Sequence, residues 1–527
     1  MVRIGPRTIA AIAASGATYL VISCASAAEP KILRHASQVD PGTMDPHAIA
    51  SLYNSRVLNQ IYEMLVSRDE QFKIEPRLAL SWTPIEAKGW RFKLRPGVKF
   101  HDGAAFGADD VVFTVERALS PTSQLRAALP NVTGARKVDD LTVELMTSSF
   151  TATLPLALTN LRIMSRAWAV KHHVEKPQNF AAKEETYATR NANGTGPFML
   201  KEWVADVKTV LAANPAYWGR HGNLTEARYL VVGSAATRVS GLLSGEIDIV
   251  IDPAFQDVEK LRKDASIRIG TGVGLGAQFL AFDYSHDKLL YGDAQGRNPF
   301  RDLKVRQALR YALDLPAIQA KVMRSLSTVG TTIFTPLIDA WEPRFERLLP
   351  YDPERAKGLL KEAGYPNGFS VTLDCSAQTP TDALCQAIAG MLARVGIRVT
   401  YQPLQFNILL PKLTARDSSM WVIGWTPITA EAEGVLVPLA HTPNGRDGEY
   451  NFGRYSNAKV DTLIDRARIE PLGEKRTKMF TEAAVLMDED SAFIPTAYRR
   501  IVWAMRKNVR TPIVPNDNMD LRFVNLD

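Results

Sequence analysis

Two short groups contain residues whose types could carry acid–base or metal chemistry. His101-Asp102-Gly103 places an imidazole beside a carboxylate, but a catalytic triad depends on the geometry of the fold and not on adjacency in sequence. The glycine after the pair is typical of a turn. His172-His173 offers two metal ligands on a polar segment, where adjacent side chains usually point in different directions. We therefore expect a structural turn at His101 and a solvated surface at His172.

A glycine pattern at residues 272–277 is the next candidate for chemistry. Its sequence, Gly-Val-Gly-Leu-Gly-Ala, resembles the fingerprint that binds dinucleotides. That fingerprint must follow a strand and open a helix, whereas the run from Gln278 to Asp283 continues with strand-forming residues. The pattern therefore predicts a flexible strand without a cofactor. The sequence also has no Gly-x-Ser-x-Gly elbow, no His-Glu-x-x-His motif and no Walker loop, which weakens hydrolase and ATPase interpretations.

Two cysteines, Cys375 and Cys385, follow the N-terminal segment. Cys375 ends a strand-like run, and Cys385 lies at the start of a helical run that extends to Val395. In an oxidising compartment the two side chains are candidates for a disulfide. Two buried free thiols are the alternative, and a metal site built from two cysteines alone is a weaker one.

The composition is that of an ordinary soluble globular protein. A length of 527 residues exceeds what one hydrophobic core supports, so two or three domains are expected. Apolar residues make up 46% of the chain and charged residues 23%, which excludes a disordered or low-complexity chain. The net charge of +7 is spread along the sequence without a run of basic residues interleaved with aromatic ones. Nucleic acid is therefore not an expected partner.

The N-terminus has the pattern of a secretory signal peptide. Arg3 and Arg7 precede an apolar stretch from Ile9 to Ile22, which is too short to span a bilayer. The small residues Ser26-Ala27-Ala28 predict cleavage after residue 28. The segment ending at Cys24 also resembles a bacterial lipobox, which would tether the exported protein by a lipid on that cysteine.

A block of alternating residues predicts the most regular strands. Large apolar side chains alternate with basic ones from Trp90 to Leu94, and the alternation resumes at Val98 and Phe100. This period of two indicates two half-buried strands, with Pro96-Gly97 as the turn between them. None of these residue types is catalytic in this pattern.

Helices with clear start and stop signals alternate with the predicted strands. Asp109 or Asp110 can cap a helix that has a valine-rich apolar face. Asp352 caps another, with Pro353 in its first turn and Gly364 after its end. Strands and helices that alternate in this way indicate α/β layers.

Taken in order, these segments resemble the large extracytoplasmic solute-binding proteins of family 5, which serve peptide and nickel ABC importers. The matching segments are the block at 90–103, the helix after it, the Gly-Thr-Gly-Pro turn at 194–197, the Asn-x-x-Tyr-Trp segment at 214–218, the strand at 279–283, and the helices that start near Pro299 and Tyr351. The resemblance implies an α/β, two-lobed periplasmic-binding-protein fold of a type II-like kind, hinged by two crossovers and carrying an extra inserted domain.

The resemblance also implies a division of the chain. We expect a signal peptide at 1–28, lobe I from 29–60, 196–280 and 495–527, an inserted domain at 61–195, and lobe II at 281–494.

In this family a Gly-Trp strand end lines the ligand cleft, and Gly424-Trp425 matches it here. Oligopeptide and dipeptide carriers place an aspartate three residues after that tryptophan, where it pairs with the ligand's α-ammonium group. This chain has Ile428 at that position, and isoleucine cannot neutralise a buried ammonium. Glu431 and Glu433 are the nearest carboxylates that could substitute. The departure puts ordinary peptides with a free N-terminus in doubt, and the run from 424 to 439 looks more like that of glutathione-type carriers.

A second wall of the cleft is expected from the loop after Met44-Asp45-Pro46, around Ser51, Leu52 and Tyr53, with Gln278 of the crossover also reaching in. For each residue of the two walls, plain packing in the core is the alternative to ligand contact. The expected ligand-binding residues are Leu52, Tyr53, Gln278, Trp425, Thr426, Ile428, Thr429 and Glu431.

The resemblance implies a periplasmic, monomeric substrate-binding component of an ABC import system, without cofactor or catalytic residues. It would capture a peptide-like or other small polar solute by hinge closure and deliver it to a permease in the inner membrane. A nickel or metal-chelate carrier of the same family is the nearest alternative, although no histidine cluster is evident near the expected cleft. A secreted hydrolase, and a receptor or chaperone-like binder without transport, are the alternatives from other classes.

Overall fold

The computed structural model describes residues 29–527 except 87, 252 and 378–380. The predicted signal peptide and Cys24 lie outside these residues. The strands are β1 (Ile32–Ser37), β2 (Val66–Arg68), β3 (Ile74–Pro76), β4 (Ala79–Ile85), β5 (Gly89–Leu94), β6 (Val132–Asp139), β7 (Thr142–Thr147), β8 (Phe198–Val204), β9 (Lys208–Ala213), β10 (Glu226–Val231), β11 (Ile249–Val250), β12 (Ile267–Phe282), β13 (Gly292–Asp293), β14 (Ser327–Val329), β15 (Ser370–Ser376), β16 (Arg398–Leu404), β17 (Met420–Trp425), β18 (Ile494–Arg506), β19 (Val509–Arg510) and β20 (Asn525–Leu526).

Helices lie between the strands along most of the described chain. They are α1 (Leu52–Ile61), α2 (Ala108–Ala118), α3 (Leu154–Ala157), α4 (Arg166–Lys171), α5 (Tyr187–Arg190), α6 (Ala235–Ser244), α7 (Phe255–Arg262), α8 (Leu303–Ala312), α9 (Leu315–Ala317), α10 (Pro353–Glu362), α11 (Thr381–Ala393), α12 (Phe406–Thr414), α13 (Glu433–Ala440), α14 (Ala458–Ile469) and α15 (Glu474–Glu489). Within the described ranges, no helix has both the length and the apolar content needed to cross a membrane.

One twelve-stranded mixed sheet runs through both lobes. Its order is β13-β15-β17-β12-β18-β11-β1-β10-β9-β8, with β16 beside β15 and β14 beside β18. Lobe I holds the parallel pairs β1–β10 and β1–β11, and lobe II holds β15 in parallel with β16 and β17. This mixed α/β architecture is the two-lobed fold that the sequence predicts.

Two long antiparallel strands, β12 and β18, connect the lobes. On the lobe I side their pairing runs from Ile267–Arg506 to Val273–Arg500, and on the lobe II side it resumes at Ala277–Tyr498. The pairing is irregular between Val273 and Ala277, so the sheet bends where the lobes meet. The glycine pattern at 272–277 therefore lies inside a strand, as predicted, and does not open a helix.

A separate four-stranded antiparallel sheet, β4-β5-β7-β6, lies in the segment predicted as the inserted domain. The side chains of β5 alternate as expected, since Trp90, Phe92 and Leu94 are buried while Arg91 and Lys93 are exposed. Helix α2 packs on this sheet and buries Val111 and Val115 in the same core.

The predicted pairing of Trp90–Leu94 with Val98–Phe100 is wrong. Strand β5 pairs with β4 and β7 instead, through Phe92–Trp82 and Phe92–Val143. Alternation in sequence fixes which side chains are buried, but it does not select the partner strand. Residues 96–97 do form a turn, after which Lys99 makes an isolated bridge to Ala105.

Helix boundaries follow the capping signals in part. The Asp352 side chain accepts a hydrogen bond from the Arg355 backbone N–H, and Gly364 has φ +88° just after α10, as expected. For α2 the cap is Gly107, and Asp110 contributes from the first turn by accepting a bond from the Gly107 N–H (2.9 Å).

Each lobe has its own apolar core. Lobe I buries Leu33, Tyr229 and Trp503 between its part of the sheet and α1. Lobe II has two clusters, one around Phe300 and the other around Phe480. Because the cores are separate, the junction between them is where a cavity can form.

Candidate ligand-binding site

A cavity of about 680 Å³, called here the main cavity, lies at the junction of the lobes. This volume falls in the range of roughly 300–1,000 Å³ that is usual for small-molecule sites. Tyr53 and Ile251 line it from lobe I, Thr381 and Trp425 line it from lobe II, and both crossover strands contribute residues. A solute held there would contact both lobes at once.

The crossover strands approach the end of β17 closely because β12 has glycines at the junction. A Cβ atom at Gly276 would lie 2.6 Å from the Thr426 Oγ1, and one at Gly274 would lie 3.0 Å from the Arg499 carbonyl oxygen. Side chains at these two positions would push the strands apart. The glycine pattern therefore serves the packing around the main cavity.

Trp425 is the last residue of β17 and is held by the protein on two sides. Its position is set by antiparallel pairing with Ala277 of β12. The indole Nε1–H donates to the Gly434 carbonyl oxygen (2.8 Å), and the ring lies 4.8 Å from that of Tyr450. Since the N–H is already used, Trp425 offers a solute its apolar ring and no hydrogen bond.

Three further predicted residues lie in the same cavity as Trp425. The Gln278 Nε2 donates to the Thr381 Oγ1 (2.9 Å), which joins the crossover to the start of α11. The Tyr53 hydroxyl accepts a bond from the Gln38 Nε2 (2.7 Å). Thr426 is exposed and lines the cavity beside Trp425. The structure therefore brings together Tyr53, Gln278, Trp425 and Thr426.

Ile428 lies outside the main cavity. It lines a smaller space of about 80 Å³, called here the side cleft, together with Phe72, Asn160 and Asn518. Its side chain is 51% exposed. The loop after β17 therefore turns Ile428 toward the inserted domain and the C-terminal segment.

Thr429, Glu431 and Leu52 also lie outside the main cavity. Thr429 and Glu431 are buried residues of the loop that also carries Ile428, and Leu52 is half-buried at the start of α1. Burial raises the pKa of the Glu431 carboxyl, although a hydrogen bond from Thr429 and the charge of Arg68 oppose the rise. The Glu431 Oε2 has no hydrogen-bond partner among the described residues.

The sequence reasoning missed three arginines in the wall of the main cavity, namely Arg238, Arg499 and Arg500. Arg499 and Arg500 interrupt an otherwise apolar and largely buried strand, β18. A pair of charged residues inside such a strand is the signal that could have found them, because charges are rarely buried without a partner or a function.

Asp517 is the single acidic residue among the described residues that line the main cavity. Its carboxylate already has hydrogen-bond partners within the protein. Its carboxylate accepts bonds from the Arg56 Nη2 (2.9 Å) and from the Trp503 Nε1 (2.8 Å). The Arg499 Nη2 lies farther away, at 3.8 Å from the Asp517 Oδ2. The described wall of the main cavity thus has an excess of positive charge.

A disulfide joins Cys375, in β15, to Cys385, in α11. Both cysteines are fully buried. The segment between them includes Ser376 and Thr381, which line the main cavity. The bond therefore ties one part of the cavity wall to the core of lobe II.

The histidines singled out in the sequence lie away from the main cavity. The His101 Nε2 bonds the Gly196 carbonyl oxygen (3.0 Å), as expected for a structural turn. His172 is half-buried and stacks on Tyr187, with ring centroids 4.0 Å apart. Neither histidine is among the described residues that line the main cavity.

Within the described part of the chain, His441, Asp447 and Asp465 are the one group of side chains close enough to share a metal ion. Asp447 already pairs with Arg468, with an Nη1–Oδ2 distance of 2.9 Å. None of these residues lines the main cavity. The group therefore gives no support to a metal-carrier role for the cleft.

Sequence comparison identifies relatives among solute-binding proteins. Residues 73–447, more than half of the chain, match the family described as bacterial extracellular solute-binding proteins, family 5 middle. The heme-binding protein A of Haemophilus influenzae is 28% identical over 471 residues, covering 83% of this chain and 82% of the relative. The glutathione-binding protein GsiB of Escherichia coli (strain K12) is 26% identical over 506 residues, covering 94% and 93%.

Solved structures share the fold over almost the whole length. HbpA2 from Haemophilus parasuis superposes with a TM-score of 0.81 at 24% identity, covering 94% of this chain and 100% of the other. A dipeptide-binding protein from Pseudoalteromonas sp. SM9913, in complex with Met-Leu, gives a TM-score of 0.74 at 22% identity, covering 94% and 100%. At these identities the likeness concerns the fold. Together with the family match, it shows that the chain belongs to family 5 of the bacterial extracellular solute-binding proteins.

Proposed function

We propose that the main cavity captures a peptide-like or other small polar solute, which the chain then delivers to an ABC permease in the inner membrane. The observation that carries this proposal is that residues of both lobes and of both crossover strands line one cavity of about 680 Å³. Membership of a family of solute-binding transport components supports the same role. No catalytic step is part of the proposal.

Capture would occur by hinge closure about β12 and β18. Between the inserted domain and lobe II, the Thr153 Oγ1 donates to the Glu433 Oε2 (3.1 Å), and the Arg446 Nη2 donates to the Asn131 Oδ1 (3.0 Å). Single hydrogen bonds to charged groups contribute roughly 1.5–3 kcal/mol each, so they can open and close reversibly. A solute that contacts both lobes binds the closed state better and shifts the population toward it.

We propose that binding of the solute does not require a free α-ammonium group on it. Ile428 supplies no charge at the position where peptide carriers of the family have an aspartate. Glu431 is a poor substitute, because burial raises the pKa of its carboxyl and it lies away from the main cavity. The relatives named for heme and for glutathione support a solute other than an ordinary peptide.

The remaining features of the protein are proposed from the sequence and the family. Residues 1–28 direct export to the periplasm, with lipidation at Cys24 as the alternative to simple cleavage. Residues 29–60, 196–280 and 495–527 form lobe I, 61–195 the inserted domain, and 281–494 lobe II. The chain acts as a monomer, because one cleft is enough to deliver a solute to a permease.

A thermal-shift screen of residues 29–527 tests the proposal. The panel contains peptides of two to five residues with free amines, their N-acetylated forms, glutathione, heme, and nickel with and without histidine. A solute at one hundred times its dissociation constant should raise the free energy of unfolding by about 2.7 kcal/mol. We expect a shift with glutathione or with blocked peptides.

A strong preference for free-amine peptides would contradict the inference from Ile428 while leaving the carrier role intact. A shift with nickel and histidine alone would favour the metal-chelate alternative. Absence of any shift, together with no solute extracted from protein purified from the periplasm, would contradict capture itself.

A further inference from the structure

One group of metal-binding side chains lies in lobe II, away from the main cavity. His441, Asp447 and Asp465 each offer one nitrogen or oxygen atom, and these three atoms lie within 4.8 Å of one another. We propose that this group binds one divalent transition-metal ion of the zinc class, which stabilises lobe II and is not the transported solute. The inference does not depend on what the main cavity binds.

The ring of His441 is prepared as a metal ligand by its tautomer. The residue is only 5% exposed, and its Nδ1 lies 2.8 Å from the Thr442 carbonyl oxygen. Since a carbonyl oxygen can only accept, the Nδ1 atom carries the proton of the neutral ring, and the lone pair is on Nε2. A backbone carbonyl that accepts from the other ring nitrogen is a usual partner of a metal-binding histidine.

The Nε2 atom of His441 is a buried polar atom that lacks a partner. It is shielded from solvent and has no hydrogen-bond partner among the described residues. The Asp465 Oδ1 lies 3.4 Å from it, but without the geometry that a proton on Nε2 would give to a hydrogen bond. A lone pair this close to a carboxylate oxygen is unfavourable unless a cation lies between them. A metal ion supplies that cation.

The second carboxylate of the group, Asp447, is buried and already oriented. Its backbone N–H donates to the Asn444 Oδ1 (2.8 Å). Its Oδ2 lies 2.9 Å from the Arg468 Nη1 and 3.5 Å from the Asn444 Nδ2. Both side-chain contacts fall on Oδ2, so Oδ1 is the oxygen that can bind a metal. A carboxylate held by such neighbours needs little ordering when the metal binds.

The charges around the group favour a cation. Asp461, one turn before Asp465 in α14, adds a third carboxylate, which lies 3.9 Å from the His441 Nδ1. Arg468 supplies one positive charge against these carboxylates, and it also lies 3.6 Å from Glu433. His441 directly follows the last turn of α13, where the helix dipole is negative. The balance of charge within the group is therefore negative.

The ligand types select the class of metal. One imidazole nitrogen and two carboxylate oxygens suit zinc and similar divalent transition metals, whereas calcium and magnesium prefer oxygen ligands alone. Zinc needs its ligands at about 2.0–2.2 Å, so the three atoms must draw together when it binds. The Asp465 side chain is 60% exposed and can move inward. The ion would then join the end of α13, the loop after it and α14.

Metal titration of untagged, chelator-treated protein tests this inference. Residues 29–527 are dialysed against EDTA, and zinc is then added in titration calorimetry and in a thermal-shift assay. We expect one equivalent of zinc to bind, to remain bound through gel filtration and to raise the melting temperature. Cobalt(II) in place of zinc should give the visible absorption bands of a site with nitrogen and oxygen ligands.

Variants connect the zinc to the proposed ligands. His441→Gln and Asp465→Asn should each weaken zinc binding by about one-hundredfold or more, since even the outer contacts of a metal site contribute ten- to one-hundredfold. Because the Asp465 side chain is largely exposed, we expect Asp465→Asn to fold like the wild type, which circular dichroism checks.

His286→Gln is the matched control. His286 also has an aspartate beside it, with 2.9 Å between its Nδ1 and the Asp283 Oδ2. It belongs to no group of three metal-binding side chains within the described part of the chain. We therefore expect His286→Gln to bind zinc like the wild type.

Wild-type protein that binds no zinc after EDTA treatment would overturn the inference, and the contact of His441 with Asp465 would then be the ion pair of a protonated imidazole. Zinc binding that persists in both folded variants would also overturn it, because the metal would then lie elsewhere. Loss of zinc in Asp465→Asn, with unchanged binding of solutes in the main cavity, would support a structural site separate from the cleft.

Discussion

Trp425, which we propose contacts the solute, is held in place by its neighbours in the absence of a solute. Gly434 occupies its indole N–H and Tyr450 lies against its ring, while the rest of the indole lines the main cavity. A solute that stacks on this ring finds it already ordered, so little conformational entropy is lost on binding.

Replacing Trp425 with alanine should weaken the binding of any solute of the main cavity by about ten- to thirtyfold, which is the effect of losing a well-packed aromatic anchor. Trp425→Phe should keep most of the affinity, because the indole N–H serves the Gly434 carbonyl and not the solute. Titration calorimetry measures both. Trp341→Phe is the matched control, since Trp341 packs in the same lobe outside the cavity. Unchanged affinity in Trp425→Ala would show that the ring is only a core residue.

His47 is a buried histidine whose protonation the fold opposes. Burial, followed by the charge of Arg117, lowers the pKa of His47 to about 3, although the nearby Asp45 carboxylate acts in the other direction. The ring nitrogens are 2.8 Å from the Arg162 carbonyl oxygen and 3.0 Å from the Arg117 Nη1. A neutral ring that donates to the carbonyl and accepts from the guanidinium satisfies both contacts, whereas a protonated ring cannot accept.

The shift at His47 predicts a loss of stability in acid. The pKa is about 3 in the folded protein and 6.5 for the unfolded chain, so the unfolded chain binds the proton first as the pH falls. Near pH 5 this residue should lower the free energy of unfolding by about 1.4 kcal/mol for each pH unit. Urea unfolding between pH 7 and 4.5 measures the slope, and His47→Gln should reduce it by that amount. His35, with a pKa also lowered to about 3, should retain its own contribution in that variant. Parallel slopes for the variant and the wild type would contradict the assignment.

At the scale of elements, local sequence signals predicted the ends of helices and the buried faces of strands. Asp352, Pro353 and Gly364 specify where α10 starts and ends through short-range contacts. The alternation from Trp90 to Leu94 specifies a buried face. It could not specify that β5 pairs with β4 and β7, because the choice of partner depends on the packing of the whole inserted sheet.

Part of the candidate site could also be predicted from the sequence. Trp425 follows from the Gly-Trp strand end that the family shares, Gln278 follows from the crossover, and both line the main cavity. Arg499 and Arg500 belong to no known motif, and the charged pair inside an apolar strand is the one local signal for them. Ile428 is expected beside Trp425 in the cleft, but the loop after β17 turns it to the side cleft.

The disulfide between β15 and α11 should stabilise lobe II. Cys375 and Cys385 are ten residues apart, and closing a loop of this size contributes roughly 2–3 kcal/mol in the loop-entropy model. The double variant Cys375→Ala/Cys385→Ala should therefore lose about that much free energy of unfolding, and wild-type protein under dithiothreitol should show a similar loss. Urea unfolding measures both. Equal stability of wild-type protein with and without the reductant would mean that the bond contributes nothing.

At the scale of the whole molecule, the twelve-stranded sheet couples two separately packed lobes. The crossover strands β12 and β18 belong to both halves, and their pairing is irregular where the main cavity lies. A fold of this kind resists changes inside each lobe, because the lobe cores are close-packed. Rotation of one lobe against the other is proposed to occur about these two strands, and the lobes also meet at a small apolar cluster of Val258, Leu326 and Val502. The solute then acts as the missing part of the interface.

The most direct test is the distance between two spin labels, one on each side of the cleft, measured by pulsed electron–electron double resonance. Val138, in the inserted domain, and Ile469, in lobe II, are 49% and 66% exposed and suit the substitutions Val138→Cys and Ile469→Cys. The native cysteines of the described chain are joined in a disulfide and do not compete for the label. We predict a broad distance distribution without solute and a shorter, narrower one with a solute that stabilises the protein. An unchanged distribution at saturating solute would contradict capture by closure of the two lobes.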